Sequence, residues 1–400
     1  MFCLPPYAAV GGKCKGGHKY LPPVSGGNKR GVGRSPFAPD ISQSYPMKKT
    51  IPLWFLICYG LTGWSLLFAF TGFEAGNQHL GGTLQPWIRV ERQDSVGQTG
   101  RASYLTSFEL NHVRLWVDGE IVPGYFGYRV EAEFVEEPAL VDAYVRVWAT
   151  RYMQIKAGRF HPTFTLYGPA LVSDLESPYY PLLNDRLGPG RQIGIEFERR
   201  SRFVQLYAGA FNGSDHPNAW QDSSTSKDVM VRADVTLLDM TRFVMEGMYG
   251  KEALTDNLDG EYLLAGIALS IDWELALHIR AEWLRRWQQV LADNSIIVTR
   301  EQVSEGILFH FGYNFTAAME ASIRYEWFDN DLDRNPSWGD GDYAWVERVI
   351  LGMQYQIVPN RLSLNGYYLH YSQEASLFPQ YQSNTPQPNE QAILECQLAF

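Results

Sequence analysis

Val229-Met230-Val231-Arg232-Ala233-Asp234-Val235 is the stretch that decides how this chain is read. Apolar side chains at 229, 231, 233 and 235 alternate with Met230, Arg232 and Asp234. A helix brings residues three and four apart together, whereas a strand sends successive side chains to opposite faces. A period of two therefore means a strand with one apolar face and one face that tolerates charge. Arg129-Val130-Glu131-Ala132-Glu133-Phe134, Val141-Asp142-Ala143-Tyr144-Val145-Arg146-Val147 and Met319-Glu320-Ala321-Ser322-Ile323-Arg324-Tyr325-Glu326-Trp327 repeat the pattern.

A soluble sandwich would alternate too, so the connections arbitrate. Sixteen such runs lie between residues 82 and 400, and the links joining them alternate in length. Thr150-Arg151, Arg200-Ser201, Asp239-Met240, Trp273, Phe315-Thr316 and Val358-Pro359-Asn360 are tight. The links 93–103, 161–189, 213–226, 251–260, 288–302, 329–344 and 373–389 are longer and polar, and only Glu137–Ala139 breaks the rule. Short turns at one rim and long loops at the other are the pattern of a membrane barrel. After residue 80 no apolar run approaches the roughly 18 residues that a membrane helix needs. The expected fold is all-β: a transmembrane antiparallel β-barrel of about 16 strands over residues 73–400, in a bacterial outer membrane.

Composition agrees. Aromatics make up 14% of the chain, yet mean hydropathy is only -0.24. A barrel shows half of each strand to lipid and half to water, which reconciles the two figures. Residues 1–72 carry eight Lys/Arg and one acidic residue, leaving 26 basic against 43 acidic residues in 73–400. So acidic a balance argues against nucleic acid as a partner.

Residues 1–46 are rich in Gly, Pro, Ser and Lys without an apolar period, and read as a disordered leader or as sequence upstream of a true start at Met47. Met47-Lys48-Lys49-Thr50, followed by an apolar run from Ile51 to Phe70, reads as a secretory signal peptide over 47–72. At the other end Ala392, Leu394, Cys396, Leu398 and Phe400 alternate to a terminal aromatic. Such a last strand is what the barrel-assembly machinery reads, so that machinery is an expected partner through Phe400.

A family resemblance sits between residues 107 and 165. It is carried by Phe108-Glu109-Leu110-Asn111-His112-Val113-Arg114-Leu115 with Asp118-Gly119, by Asp142-Ala143-Tyr144-Val145, and by Gly158-Arg159-Phe160-His161-Pro162-Thr163-Phe164. Together these resemble the phosphate- and polyphosphate-selective porins of Gram-negative bacteria. Family members look like a Phe-x-Leu-Arg-Arg-Ala-Arg-Leu strand, an Asp-Ala-Tyr strand, and a Gly-x-Phe-Lys-x-Pro-Phe start to a long loop. Here Asn111-His112 replaces the paired arginines, His161 replaces the Lys, and Arg114 is kept. The resemblance implies a pore for passive diffusion of small hydrophilic solutes, anions such as phosphate as the finer expectation, and a homotrimer.

In porins the long loop folds inward and narrows the lumen. The loop 161–189, with His161, Tyr167, Asp174, Glu176, Tyr179 and Tyr180, is the candidate constriction. Alternation places Arg114, Arg129, Arg146 and Lys156 in the lumen on four neighbouring strands, and with His112 and Arg159 they are the anion candidates. Glu131, Glu133 and Asp142 share that wall, and lumen positions as a whole hold nine basic against thirteen acidic residues. An arginine beside a carboxylate loses much of its reach, so a basic track and a neutralised wall both remain open. Val141, Ala143, Val145, Val147, Val229, Val231, Ala233, Val235, Ile267, Leu269, Ala321 and Ile323 are expected to face lipid. Trp148, Tyr152, Trp283, Trp287, Trp327 and Tyr355 are expected in interfacial girdles.

Two other readings stand beside this one. A pore for sugars or other neutral nutrients would line its constriction with aromatic pairs. A non-conducting structural or adhesive barrel would have a plugged lumen. Catalysis finds no support, since no His-Glu-x-x-His, Gly-x-Ser-x-Gly or Walker loop occurs. No cofactor or protein metal site is expected. Asp329-Asn330-Asp331-Leu332-Asp333 has calcium-like spacing, but Arg334 stands where a calcium loop wants Gly. With Asp340-Gly341-Asp342 it reads as an exterior loop that takes divalent cations together with lipopolysaccharide, and outer-membrane lipids cover the barrel wall.

Overall fold

The computed structural model describes residues 78–93, 103–135, 138–213, 226–237, 240–255, 258–273, 276–291, 299–332, 345–373 and 388–400. The leader and signal expected over 1–72 lie outside the described residues, as do Asp333, Asp340 and Asp342 of the acidic loop.

The strands are β1 (Gln78–Gln93), β2 (Ser103–Val122), β3 (Phe126–Glu133), β4 (Ala139–Thr150), β5 (Met153–Phe160), β6 (Gln192–Arg200), β7 (Val204–Phe211), β8 (Asp228–Leu237), β9 (Thr241–Thr255), β10 (Leu258–Trp273), β11 (Leu277–Leu291), β12 (Thr299–Thr316), β13 (Met319–Asp329), β14 (Trp345–Val358), β15 (Leu362–Gln373) and β16 (Pro388–Ala399). Each pairs antiparallel with the next, and β1 pairs with β16 to close the barrel. Closure gives every strand two neighbours, so no ladder edge is left to lipid, where an unmade backbone hydrogen bond costs several kcal/mol. At the seam Gly82 N–H donates to Phe400 O (2.9 Å) and Phe400 N–H to Gly82 O (3.1 Å). A Cβ on Gly82 would lie 2.5 Å from the Phe400 ring, so the close approach requires glycine there.

The alternation sorts inside from outside as the sequence implies. Val229 and Val231 are exposed on the outer wall, while Met230, Arg232 and Asp234 between them are buried within the barrel. Val145, Ile267 and Ile323 are likewise exposed, and Arg146, Ala268 and Arg324 beside them are buried. Outward apolar rows give the wall a surface suited to hydrocarbon, and inward charges are sheltered by one another.

Three expectations fail locally. The long loop expected at 251–260 is ladder instead: β9 and β10 run on, Lys251 pairs in register with Glu261, and their side chains form an ion pair at 3.1 Å. Polarity there marks strands rising beyond the apolar band, not a turn. Val141 is buried instead of facing lipid, because the register slips between Glu131–Asp142 and Ala132–Leu140 and makes Val141 the bulged residue. Trp148 is not a girdle residue: it keeps the phase of the inward Arg146, whose guanidinium lies 5.5 Å from its ring, and it fills the space over Gly127.

Candidate functional site: the barrel lumen

β5 ends at Phe160, and the chain does not turn back along the rim. The segment 161–191 crosses the lumen, with a 3-10 turn at Val172–Asp174 and the short helix α1 (Leu182–Arg186). Its apolar residues Phe164, Leu166, Tyr167 and Leu183 are almost wholly buried.

What holds it there is the charged wall. Glu196 of β6 accepts the Thr163 N–H (2.7 Å), Glu246 of β9 that of Thr165 (3.0 Å), Glu282 of β11 that of Leu166 (2.8 Å), and Glu326 of β13 that of Leu182 (3.1 Å). In the opposite sense Arg232 of β8 donates to Thr165 O (2.6 Å), Arg324 of β13 to Tyr179 O (3.1 Å) and Arg348 of β14 to Tyr180 O (2.7 Å). A loop brought inside a barrel loses water at its backbone, and these seven side chains replace that water. Hydrogen bonds to ionised groups are also stronger than neutral ones.

The circuit closes on the far side. Gln397 of β16 donates to Ser173 O (3.0 Å), and the Tyr179 hydroxyl donates to Gln391 (3.3 Å). Thr165 is the tightest point. It sits at φ 60°, a conformation that a β-branched residue rarely adopts. Its hydroxyl accepts from Gly168 N–H (2.9 Å) and from the Asn184 amide (2.6 Å), so every polar atom of the residue is engaged.

The loop candidates divide. Tyr167 is buried and donates to Glu176 (2.8 Å), which also meets His310 (3.1 Å) and Arg280 (3.8 Å). Burial opposes ionising Glu176, but His310, Arg280 and the Tyr167 hydroxyl bring its pKa down to about 2. Glu176 is thus an anchor. Burial, reinforced by the nearby Arg191, pushes His161 down to about 4, so it is neutral at physiological pH and adds no charge to an anion path. Tyr179 packs edge-on against Trp87 at 5.4 Å between ring centroids. Tyr180 donates to Ala170 O (2.8 Å), and burial raises its pKa. Asp174, by contrast, is exposed.

The anion candidates lie on the arc β2–β5, where among the described residues no wall carboxylate accepts an N–H of the inward segment 161–191. Arg114 bonds Glu133 (2.8 Å) and Glu131 (3.3 Å), and His112 bonds Glu133 (2.7 Å). Arg129 bonds Glu131 (2.6 Å) and lies over Trp116. Lys156 pairs with Glu196 (3.0 Å) across to β6. Arg146 stands over Tyr144 and Trp148. Arg159 is in register with Ala143 and Ile193, out of phase with the inward Lys156, yet it is buried, with Arg191 and Asp142 as its charged neighbours. Arg191, which sequence reading missed, bonds Asp142 (3.0 Å). Four of the six candidates, His112, Arg114, Arg129 and Lys156, are thus brought against wall carboxylates. The slip that removes Asn111 from the β1–β2 ladder falls where the resembling family has its paired arginines.

No family model matches the sequence, and no curated protein matches it. Solved structures do. The outer membrane channel DcaP of Acinetobacter baumannii superposes with TM-score 0.62 at 10% identity, covering 81% of this chain and 97% of that one. The fold is that of the outer-membrane porins. In vitro folded OmpT of Vibrio cholerae, in its trimer form, gives TM-score 0.56 at 11% identity over 82% of this chain and all (100%) of its own. A porin refined at 1.8 Å gives 0.50 at 12%, over 81% of this chain and 100% of that one. Among the described residues no group of three His, Cys, Asp or Glu could hold a metal ion.

Proposed function

We propose that this chain is a porin of the bacterial outer membrane, exported by the segment 47–72, through which small hydrophilic solutes diffuse passively. The observation that carries it is the charged inner wall holding an inward loop. Charged side chains on a lumen wall set what passes through a narrow pore, and the inward loop supplies the narrowing. Purified protein in planar lipid bilayers tests it: stepwise, long-lived ionic currents are expected, and their absence from a correctly folded preparation would refute the proposal.

The finer reading is a modest preference for small anions. Its support is the arc bearing Arg114, Arg129, Arg146, Lys156 and Arg191, against which the exposed carboxylate of Asp174 on the loop works. Glu131, Glu133, Asp142 and Glu196 stand among those cations, so their field is largely local, and the preference falls short of a dedicated phosphate site. Homotrimer assembly, contact with lipid and lipopolysaccharide, and delivery by the barrel-assembly machinery through Phe400 belong to the same proposal. The trimeric form of a fold neighbour supports the first of these.

A further inference from the structure

Glu246 and Glu282 carry a feature that loop anchoring does not use. Each gives one oxygen to the loop elbow, Glu246 Oε2 to Thr165 N–H and Glu282 Oε1 to Leu166 N–H. The other two oxygens, Glu246 Oε1 and Glu282 Oε2, are buried and have no hydrogen-bond partner. The strand between them, β10, offers nothing titratable here: Glu246 is in register with Gly266, and Glu282 with Ala268. The two carboxyl groups lie within hydrogen-bonding reach of one another.

The charged neighbours can be counted. Arg232 and Asp234 on β8 form a two-pronged pair (2.6 and 3.1 Å), Arg232 reaches Glu246 Oε2 at 3.3 Å, and Arg242 on β9 reaches Asp234 at 3.5 Å. Tyr207 of β7 and Arg280 of β11 lie further out, Tyr207 under Arg232 and Arg280 turned to Asp272 and Glu176. The inner group therefore holds three carboxyls, Glu246, Glu282 and Asp234, against two guanidiniums, Arg232 and Arg242. One proton balances it. Placed between Glu246 and Glu282, that proton lets the two carboxyl groups share a hydrogen bond.

We propose that Glu246 and Glu282 form a proton-binding site, sharing one proton that keeps the loop elbow at Thr165–Leu166 seated. Two adjacent carboxylates cannot both ionise cheaply in a buried site. When the proton leaves, they repel, and the strained Thr165 they hold is the first part of the loop to lift. The consequence for transport rests on the porin reading above, but the proton itself does not.

Glu282→Gln provides the control. Its amide can donate to Glu246 while its carbonyl oxygen still accepts from Leu166, so it copies the protonated state without a titrating group. Infrared difference spectroscopy of the folded barrel, titrated from about pH 6 to about pH 10, reads the proton directly. A protonated-carboxyl band that is lost on alkaline titration, and is missing from Glu282→Gln at every pH, is expected. In bilayers the wild-type conductance should change over the same pH range, and that of Glu282→Gln should stay flat. No such band in the wild type, or the same band in Glu282→Gln, overturns the proposal. A band without any channel current leaves the shared proton standing and refutes the porin reading instead.

Discussion

On the arc from β6 to β14, Glu196, Arg232, Glu246, Glu282, Arg324, Glu326 and Arg348 point at the backbone of one loop. On the arc from β2 to β5, Arg114, Arg129, Glu131 and Glu133 point at each other. Both arcs draw on the same residue types in the same inward phase. The difference lies in the further partner: besides their ion pairs the first set holds peptide groups brought out of water, whereas the second set is spent on opposite charges. Charges bonded to peptide groups fix a shape, whereas charges paired only with one another set the local field of the lumen. Changes on the first arc should therefore alter how wide the pore is, and changes on the second should alter which ions it prefers.

The most disruptive test of the first arc is Glu326→Ala. Glu326 serves Leu182 N–H, Arg348 (2.8 Å) and Arg324 (3.3 Å) together. Its removal leaves two buried guanidiniums short of a counter-charge, at a cost of about 3–5 kcal/mol. A lower thermal midpoint with larger, noisier channel currents is expected.

Next in size is a change that should separate the lumen from the lipid face. Val231→Arg places a charge on the outer wall next to Arg232, costing about 2–4 kcal/mol at mid-bilayer. Urea titration in lipid vesicles should register it, with unit conductance unchanged in the folded fraction.

A smaller effect is expected from acid. The pKa of Glu176 in the docked loop is about 2, below its ordinary 4.5. A depressed carboxyl contributes its full stabilisation above the ordinary value and loses it as pH falls through the docked one. Loop fluctuations should thus grow between pH 4.5 and about 2, seen as open-channel noise. Glu176→Gln should be noisy already at neutral pH and respond little to acid.

Much of this was legible in the sequence. The alternation around Val231 and Arg232 sets inside from outside because a strand has only two faces, and the same rule counts all sixteen strands. Bulges are invisible to it: nothing in Leu140-Val141-Asp142 announces an extra residue, so the period alone puts Val141 on the wrong face. Lys251, Glu252 and Asp259 read as loop because polarity cannot tell a turn from a strand that has left the membrane. The inward loop followed from its length and the family resemblance, but its anchors did not. Glu246 and Glu282 looked like any other lumen acids, since what they bind is the peptide backbone of a segment far away along the chain.

The most direct test of the two-arc account is the single-channel current–voltage curve in a salt gradient, recorded for wild type, Arg348→Gln and Arg146→Ala. The slope reports the width of the path and the zero-current intercept reports its ion preference. Arg348→Gln, which releases Tyr180 O, is expected to change the slope and leave the intercept nearly in place. Arg146→Ala is expected to shift the intercept toward cations with little change of slope. An unchanged slope in Arg348→Gln together with an unmoved intercept in Arg146→Ala would contradict the two-arc account.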